Sequence, residues 1–156
     1  MKKRTSVKFF FEQIGKGSCG VCAVNTILKM FGLRGVIFSF SATKGTSPKR
    51  ILHELRKAGL IAVSKTISIR NLKPRSILYY PPPSDHYVVV GKIADGEALV
   101  YDSKEKEPYW RRLSVLKKKW YGRKTHGWVI EVKKPSGENF NSRQILFDAI
   151  ILKDYD

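Results

Sequence analysis

The order of hydrophobic patterns constrains this chain most: two stretches with helical apolar spacing come first, and strand-like segments follow. Between Cys19 and Phe31, apolar residues fall at Val21, Val24, Ile27, Leu28 and Phe31, close to a 3.6-residue period. Gly17-Ser18 can supply an N-cap, and Gly32 suits the C′ position. A second helix is predicted to open at Thr46-Ser47-Pro48, run through Ile51, Leu52 and Leu55, and stop at Gly59. After it come strands at Ile61–Ile69, Ile77–Tyr80, Tyr87–Ile93, Ala98–Tyr101 and Trp128–Val132. Pro81-Pro82-Pro83 ends the second of these because proline donates nothing to a ladder, and Asp95-Gly96 marks a turn. Helices first and antiparallel strands afterwards is the α+β pattern: N-terminal helices packed against an antiparallel sheet.

The 156 residues make one domain with short appendages. A basic arm is expected over residues 1–8, the folded unit over 9–134, and a C-terminal extension over 135–156. The extension carries an apolar patch at Ile145–Leu152 whose periodicity fits a helix or a strand. Thirty Lys+Arg against 13 Asp+Glu give a net charge of +17, so the surface will attract polyanions or acidic partners. The excess is uneven: residues 1–78 hold 16 bases and only two acids, Glu12 and Glu54. No apolar run approaches a membrane span, and after Met1-Lys2-Lys3-Arg4 only Phe9-Phe10-Phe11 precedes Glu12, too little for an export core. The expected setting is therefore the cytoplasm, with free thiols. Two cysteines cannot build a disulfide scaffold, and no histidine pair at ligand spacing completes a zinc site, so neither a metal nor a cofactor is expected.

Cys19 heads the first helix, where unsatisfied N–H groups and the macrodipole favour a thiolate. Gly15, Gly17 and Gly20 are expected to clear space for a substrate backbone. Gln13, six residues upstream on a loop that can fold back, could join the backbone N–H of Cys19 in an oxyanion hole. A thiolate nucleophile needs a proton carrier, and there are three histidines. His53, beside Glu54 on the second helix, reads as surface, and His126 lies in a basic loop. His86 opens the strand Tyr87–Ile93, and the returning strand ends at Asp102. The two share one face, within reach of each other, only if the connection is a three-residue loop or the ladder holds a bulge.

These residues resemble the papain-like cysteine proteases, and among them the double-glycine leader peptidases that trim bacteriocin precursors, in stand-alone form. The resemblance rests on Gln13-x5-Cys19-Gly20 heading a helix that ends Phe31-Gly32, on Gly45-Thr46-Ser47-Pro48 and Ala58-Gly59-Leu60, on Asp85-His86-Tyr87-Val88-Val89-Val90, on Val100-Tyr101-Asp102-Ser103, and on Trp120 before Trp128-Val129-Ile130. It spans residues 9–134 and implies Cys19 as nucleophile, His86 as general base and acid, Asp102 as the group that orients the imidazole, and Gln13 as oxyanion holder. The implied reaction is peptide-bond cleavage through an acyl-thioester, on a peptide or protein substrate. Ser18 stands where that family usually has an acid, no Gly-Gly pair occurs in the chain, and no transporter domains accompany it. Papain's own Ser-Cys-Gly-x-Cys string would select Cys22, whereas the distance from Gln13 selects Cys19.

Other readings compete. Cys19-Gly20-Val21-Cys22 is a C-x-x-C at a helix start, as in dithiol redox proteins, although no βαβ context precedes it. Residues 111–134 hold nine Lys/Arg and one acid, interleaved with Trp120, Tyr121 and Trp128, which would suit a nucleic-acid-binding module with non-specific polyanion affinity. The alternative is that these aromatics are core and the lysines a solvated face. A different acyl transfer, or an inactive scaffold, would use the same residues.

Overall fold

The computed structural model describes residues 17–41 and 43–135. Two helices, α1 (Cys19–Met30) and α2 (Pro48–Lys57), precede strand β1 (Ile61–Ile67). A short 3-10 turn at Ile69–Asn71 leads to β2 (Ser76–Tyr80), β3 (His86–Ala94), β4 (Glu97–Tyr101) and β5 (Tyr109–Arg112). Helix α3 (Leu113–Tyr121) and strand β6 (Gly127–Lys133) complete the described chain. The six strands form one antiparallel sheet in the order β1-β6-β2-β3-β4-β5. This is the expected α+β architecture. The apolar patch Ile145–Leu152 lies outside the described residues, as does the arm at 1–8.

Both faces of the sheet are covered. On one face Val24, Ile27, Leu28, Ile51 and Leu55 from α1 and α2 pack on Ile77, Val89, Leu99 and Ile130. On the other, Leu116, Trp120 and Tyr121 of α3 meet Leu78, Val88, Val90, Val100 and Val129. Each aliphatic side chain removed from water this way contributes roughly 1.5–3 kcal/mol. Strands buried on both faces explain why β3 reads as an unbroken apolar run, Tyr87-Val88-Val89-Val90, with no alternation.

The helix ends obey local chemistry in part. Ser47 caps α2, its side chain accepting from the Arg50 N–H at 3.2 Å, and Pro48 takes the first turn. Ser18 occupies the N-cap position of α1 but makes no side-chain capping bond. His53, expected at the surface, is half-buried, and its neighbour Glu54 is buried and paired with Arg50 at 3.0 Å on the same helix.

Residues 109–121 had given no helix or strand signal, only charge and aromatic content. They form β5 and α3: Lys117, Lys118 and Lys119 face solvent while Leu116, Trp120 and Tyr121 are buried. Trp120 and Tyr121 are thus core, and the indole N–H of Trp120 donates to the Trp128 carbonyl at 2.7 Å.

The β3–β4 hairpin determines where the site forms. Its turn is a two-residue Asp95-Gly96, with φ of 54° and 73°, joining the pair Ala94↔Glu97. The register then shifts at Gly91: Lys92 pairs Leu99, but Val90 pairs Val100. The one extra residue is a β-bulge, the second of the two devices the sequence allowed. Continued past Val89↔Tyr101, the register brings Asp102 beside Val88. Without the bulge Asp102 would fall opposite Val89 and point to the other face from His86. Gly91 has no Cβ because one would lie 2.5 Å from the Tyr101 ring.

Candidate active site

Cys19 is the first residue of α1, and no acid sits in that helix's first turn to offset the dipole. Its side chain is buried and lies against the imidazole of His86 and the backbone of Tyr87. Burial pushes the thiol up, but the hydrogen-bonding and charge interactions with His86 and the backbone N–H groups outweigh it and hold Cys19 below the ordinary thiol value. Cys22, one turn on, goes the other way: burial and the neighbouring charge of Cys19 raise it. Neither cysteine is in a disulfide, and of the two thiols only Cys19 is lowered toward the reactive thiolate form.

His86 opens β3 and Asp102 follows β4 directly, so one hairpin delivers both. His86 Nε2 and Asp102 Oδ1 are 2.6 Å apart, with both residues buried. The Lys104 N–H donates to the same carboxylate oxygen at 3.0 Å. Burial alone would raise the Asp102 carboxyl; the hydrogen bonds from His86 and Lys104 and the positive charges of His86 and Lys119 bring it below the usual carboxylate range. His86 is likewise pulled down by burial, and Asp102 and Cys19 more than reverse this, so the imidazolium is favoured. With Nε2 engaged by Asp102, Nδ1 makes no conventional hydrogen bond and is the ring nitrogen left for the sulfur. Cys19, His86 and Asp102 therefore form one cluster. His126 is exposed and hydrogen-bonds Thr125 at 3.0 Å; His53 is half-buried on α2; neither lines the cleft described next. Gln13 and Gly15 lie outside the described residues.

Cys19 and His86 open onto a cleft of about 680 Å³ between the α2 cap, Gly45 to Pro48, and the start of β3. Tyr79, Tyr87 and Trp128 make an aromatic wall, with ring centroids 5.3 to 6.3 Å apart. The Tyr79 hydroxyl donates to Asp85, and burial together with that carboxylate pushes the phenol up to about 12. Tyr87 donates to the Thr46 carbonyl at 3.0 Å, tying the wall to the α2 cap. Gly20 serves this junction: a Cβ there would lie 2.6 Å from Thr46 Cβ, so the glycine makes room for Thr46 rather than for substrate. A second cavity, about 720 Å³, lies at the far end of α1 between Phe31 and Val63, but no cysteine or histidine lines it. Among the described residues no cluster of His, Cys, Asp or Glu could hold a metal ion, and no helix is long and apolar enough to cross a membrane.

A thiol of lowered pKa beside an imidazole that is paired with a buried carboxylate is the equipment of nucleophilic acyl transfer. Comparison with known proteins agrees. The chain is similar to the peptidase domain of Streptococcus ComA, a bi-functional ABC transporter involved in a quorum-sensing pathway, with a TM-score of 0.62, 16% identity, and coverage of 80% of this chain and 97% of that one. A double-glycine-motif protease from an AMS/PCAT transporter, solved in complex with its leader peptide, gives 0.63 at 18% identity over 81% and 91%. The N-terminal peptidase C39-like domain of the Vibrio parahaemolyticus toxin-secretion ATP-binding protein gives 0.54 at 18% identity over 79% and 100%. No curated protein sequence matches. The peptidase C39 family matches residues 8–126, most of the chain. The chain therefore belongs to the peptidase C39 family: it is a cysteine-type peptidase with the papain-like α+β fold.

Proposed function

We propose that the chain hydrolyses a peptide bond through an acyl-thioester on Cys19, with His86 as general base and acid, Asp102 as the group orienting the imidazole, and Gln13 as oxyanion holder. The Cys19 thiolate attacks the scissile carbonyl carbon. The oxyanion that forms is met by the Cys19 backbone N–H and the Gln13 amide. The C–N bond breaks as the imidazolium of His86 gives its proton to the leaving amine. Neutral His86 then takes a proton from water, whose oxygen attacks the thioester, and the thiolate leaves. Asp102 keeps one tautomer and one ring orientation through both halves. The observation that carries this reading is the buried 2.6 Å contact between His86 and Asp102 beside the thiol that heads α1.

The peptidase unit is residues 9–134, and the substrate is a peptide or protein segment laid along the Tyr79–Tyr87–Trp128 wall. A double-glycine site before the cut is supported by likeness to the leader-peptide proteases alone. Cys19 and Cys22, kept out of disulfides, suit a reducing compartment such as the cytoplasm. A peptide bearing an electrophile in place of the scissile carbonyl tests the mechanism, with mass spectrometry to locate the adduct. The adduct is expected on Cys19, lost in Cys19→Ala and slowed in His86→Ala. An adduct on Cys22, or labelling indifferent to His86, would refute the assignment.

A further inference from the structure

Thr46 is 6% exposed, and its Oγ1 is buried with no hydrogen-bond partner. A buried hydroxyl left this way costs about 1–3 kcal/mol. Its side chain presses on Gly20, the residue after the nucleophile, where an added Cβ would sit 2.8 Å from Oγ1. Its carbonyl is pinned by the buried Tyr87 hydroxyl at 3.0 Å, and Ser47 next to it caps α2. Thr46 also lines the cleft with Cys19 and His86. A buried, unpartnered hydroxyl thus packs on the residue that follows the attacking sulfur.

We infer that Thr46 Oγ1 is a substrate-binding group: it hydrogen-bonds the peptide backbone of the acyl-side residue, and the substrate supplies the partner the free protein lacks. This rests on the peptidase reading above. A hydroxyl both donates and accepts, so it can meet either a carbonyl oxygen or an amide N–H of an extended chain. The protein holds the hydroxyl unpaired in the resting state and recovers that cost only when a peptide lies in the cleft. A small reagent that reaches the sulfur without a backbone will not sense Thr46.

The test uses two reagents on the whole chain. An N-acylated glycyl-glycinal adds reversibly to the thiolate: a C–S bond forms, the carbonyl π electrons move to oxygen, and that oxygen takes the proton from the His86 imidazolium. Iodoacetamide alkylates the same sulfur with loss of iodide and carries no peptide. Thr46→Val keeps the shape and removes the hydroxyl; Thr46→Ser restores it. For Thr46→Val the inhibition constant of the aldehyde should rise about tenfold, the worth of one hydrogen bond made in a desolvated cleft. Thr46→Ser should recover most of that loss. Both variants should be alkylated by iodoacetamide on Cys19 at a rate like the parent's, and Thr46→Val should melt no lower than the parent because no bond is lost in the free protein. Unchanged aldehyde affinity in Thr46→Val, or a lower melting temperature with the affinity loss, would overturn the inference, the second by placing the hydroxyl in an internal bond. If neither reagent singles out Cys19 in the parent chain, the peptidase reading itself is what has failed.

Discussion

Replacing Gly127 with alanine is the most demanding test of how the two packing layers meet. A Cβ built on Gly127 would lie 2.0 Å from Trp120 Cε2, 2.2 Å from Cδ2 and 2.5 Å from Nε1. An ordinary carbon contact is about 3.5–4 Å, so the indole would have to retreat by more than an ångström. It has little room: Trp120 is 1% exposed, and its Nε1–H donates to the Trp128 carbonyl at 2.7 Å. Overpacking costs about 1–3 kcal/mol, and breaking a buried hydrogen bond adds about 1–3 kcal/mol for the group left unpaired. The sum, roughly 2–6 kcal/mol, is a large part of the 5–15 kcal/mol that holds a typical domain together. At about 2–8 °C per kcal/mol across domains of this size range, Gly127→Ala should melt at least about 4 °C lower than the parent. Gly96→Ala is the control. It replaces a turn glycine with φ of 73°, but nothing lies within 4 Å of its Cβ, so only the backbone penalty of about 1 kcal/mol applies. Thermal melts followed by near-ultraviolet circular dichroism report the Trp120 environment directly. A Gly127→Ala protein that melts with the parent, or above Gly96→Ala, would refute the packing argument.

Peptide cleavage should follow a bell in pH. It falls on the acid side as the lowered Cys19 thiol regains its proton, and on the alkaline side as His86, raised by Asp102 and Cys19, loses its own. Asp102→Asn removes a raising influence on His86 and should move the alkaline limb to lower pH; a limb that stays put would mean Asp102 does not act on the imidazole. Deleting Gly91 removes the bulge and turns Asp102 to the opposite face, so cleavage should drop by at least about a hundredfold, while far-ultraviolet circular dichroism keeps its strand signature. Retained activity would show that the register does not place the carboxylate. Ser47→Ala loses the α2 cap and should cost about 1 kcal/mol in urea denaturation, with little change in the slope.

The helices were legible because their signals are local: the spacing of Val21, Val24, Ile27 and Leu28 needs no tertiary partner to be read, and neither does the Ser47-Pro48 start. The pairing of His86 with Asp102 was legible up to a choice between a loop and a bulge. That choice depends on Tyr101 packing against residue 91, a contact between strands that no single-strand pattern carries. Helix α3 escaped because only Leu116, Trp120 and Tyr121 of its nine residues are buried, and three lysines in a row hide so short a stripe. Cys19 and Cys22 share a motif and a helix, and what lowers one thiol and not the other is the neighbourhood of His86 and the backbone N–H groups of Tyr87 and Gly20. Gly20 shows the reverse limit: its smallness was evident, but the neighbour that requires it, Thr46, was not.

The Cys19 thiol sits on a helix, while His86 and Asp102 arrive on a hairpin of the sheet. Under the proposed mechanism, catalytic competence is thus a readout of how α1 seats on β3, not of either element alone. Warming that loosens this seam will silence the enzyme while the six strands remain paired, so inactivation should precede the loss of sheet structure and reverse on cooling.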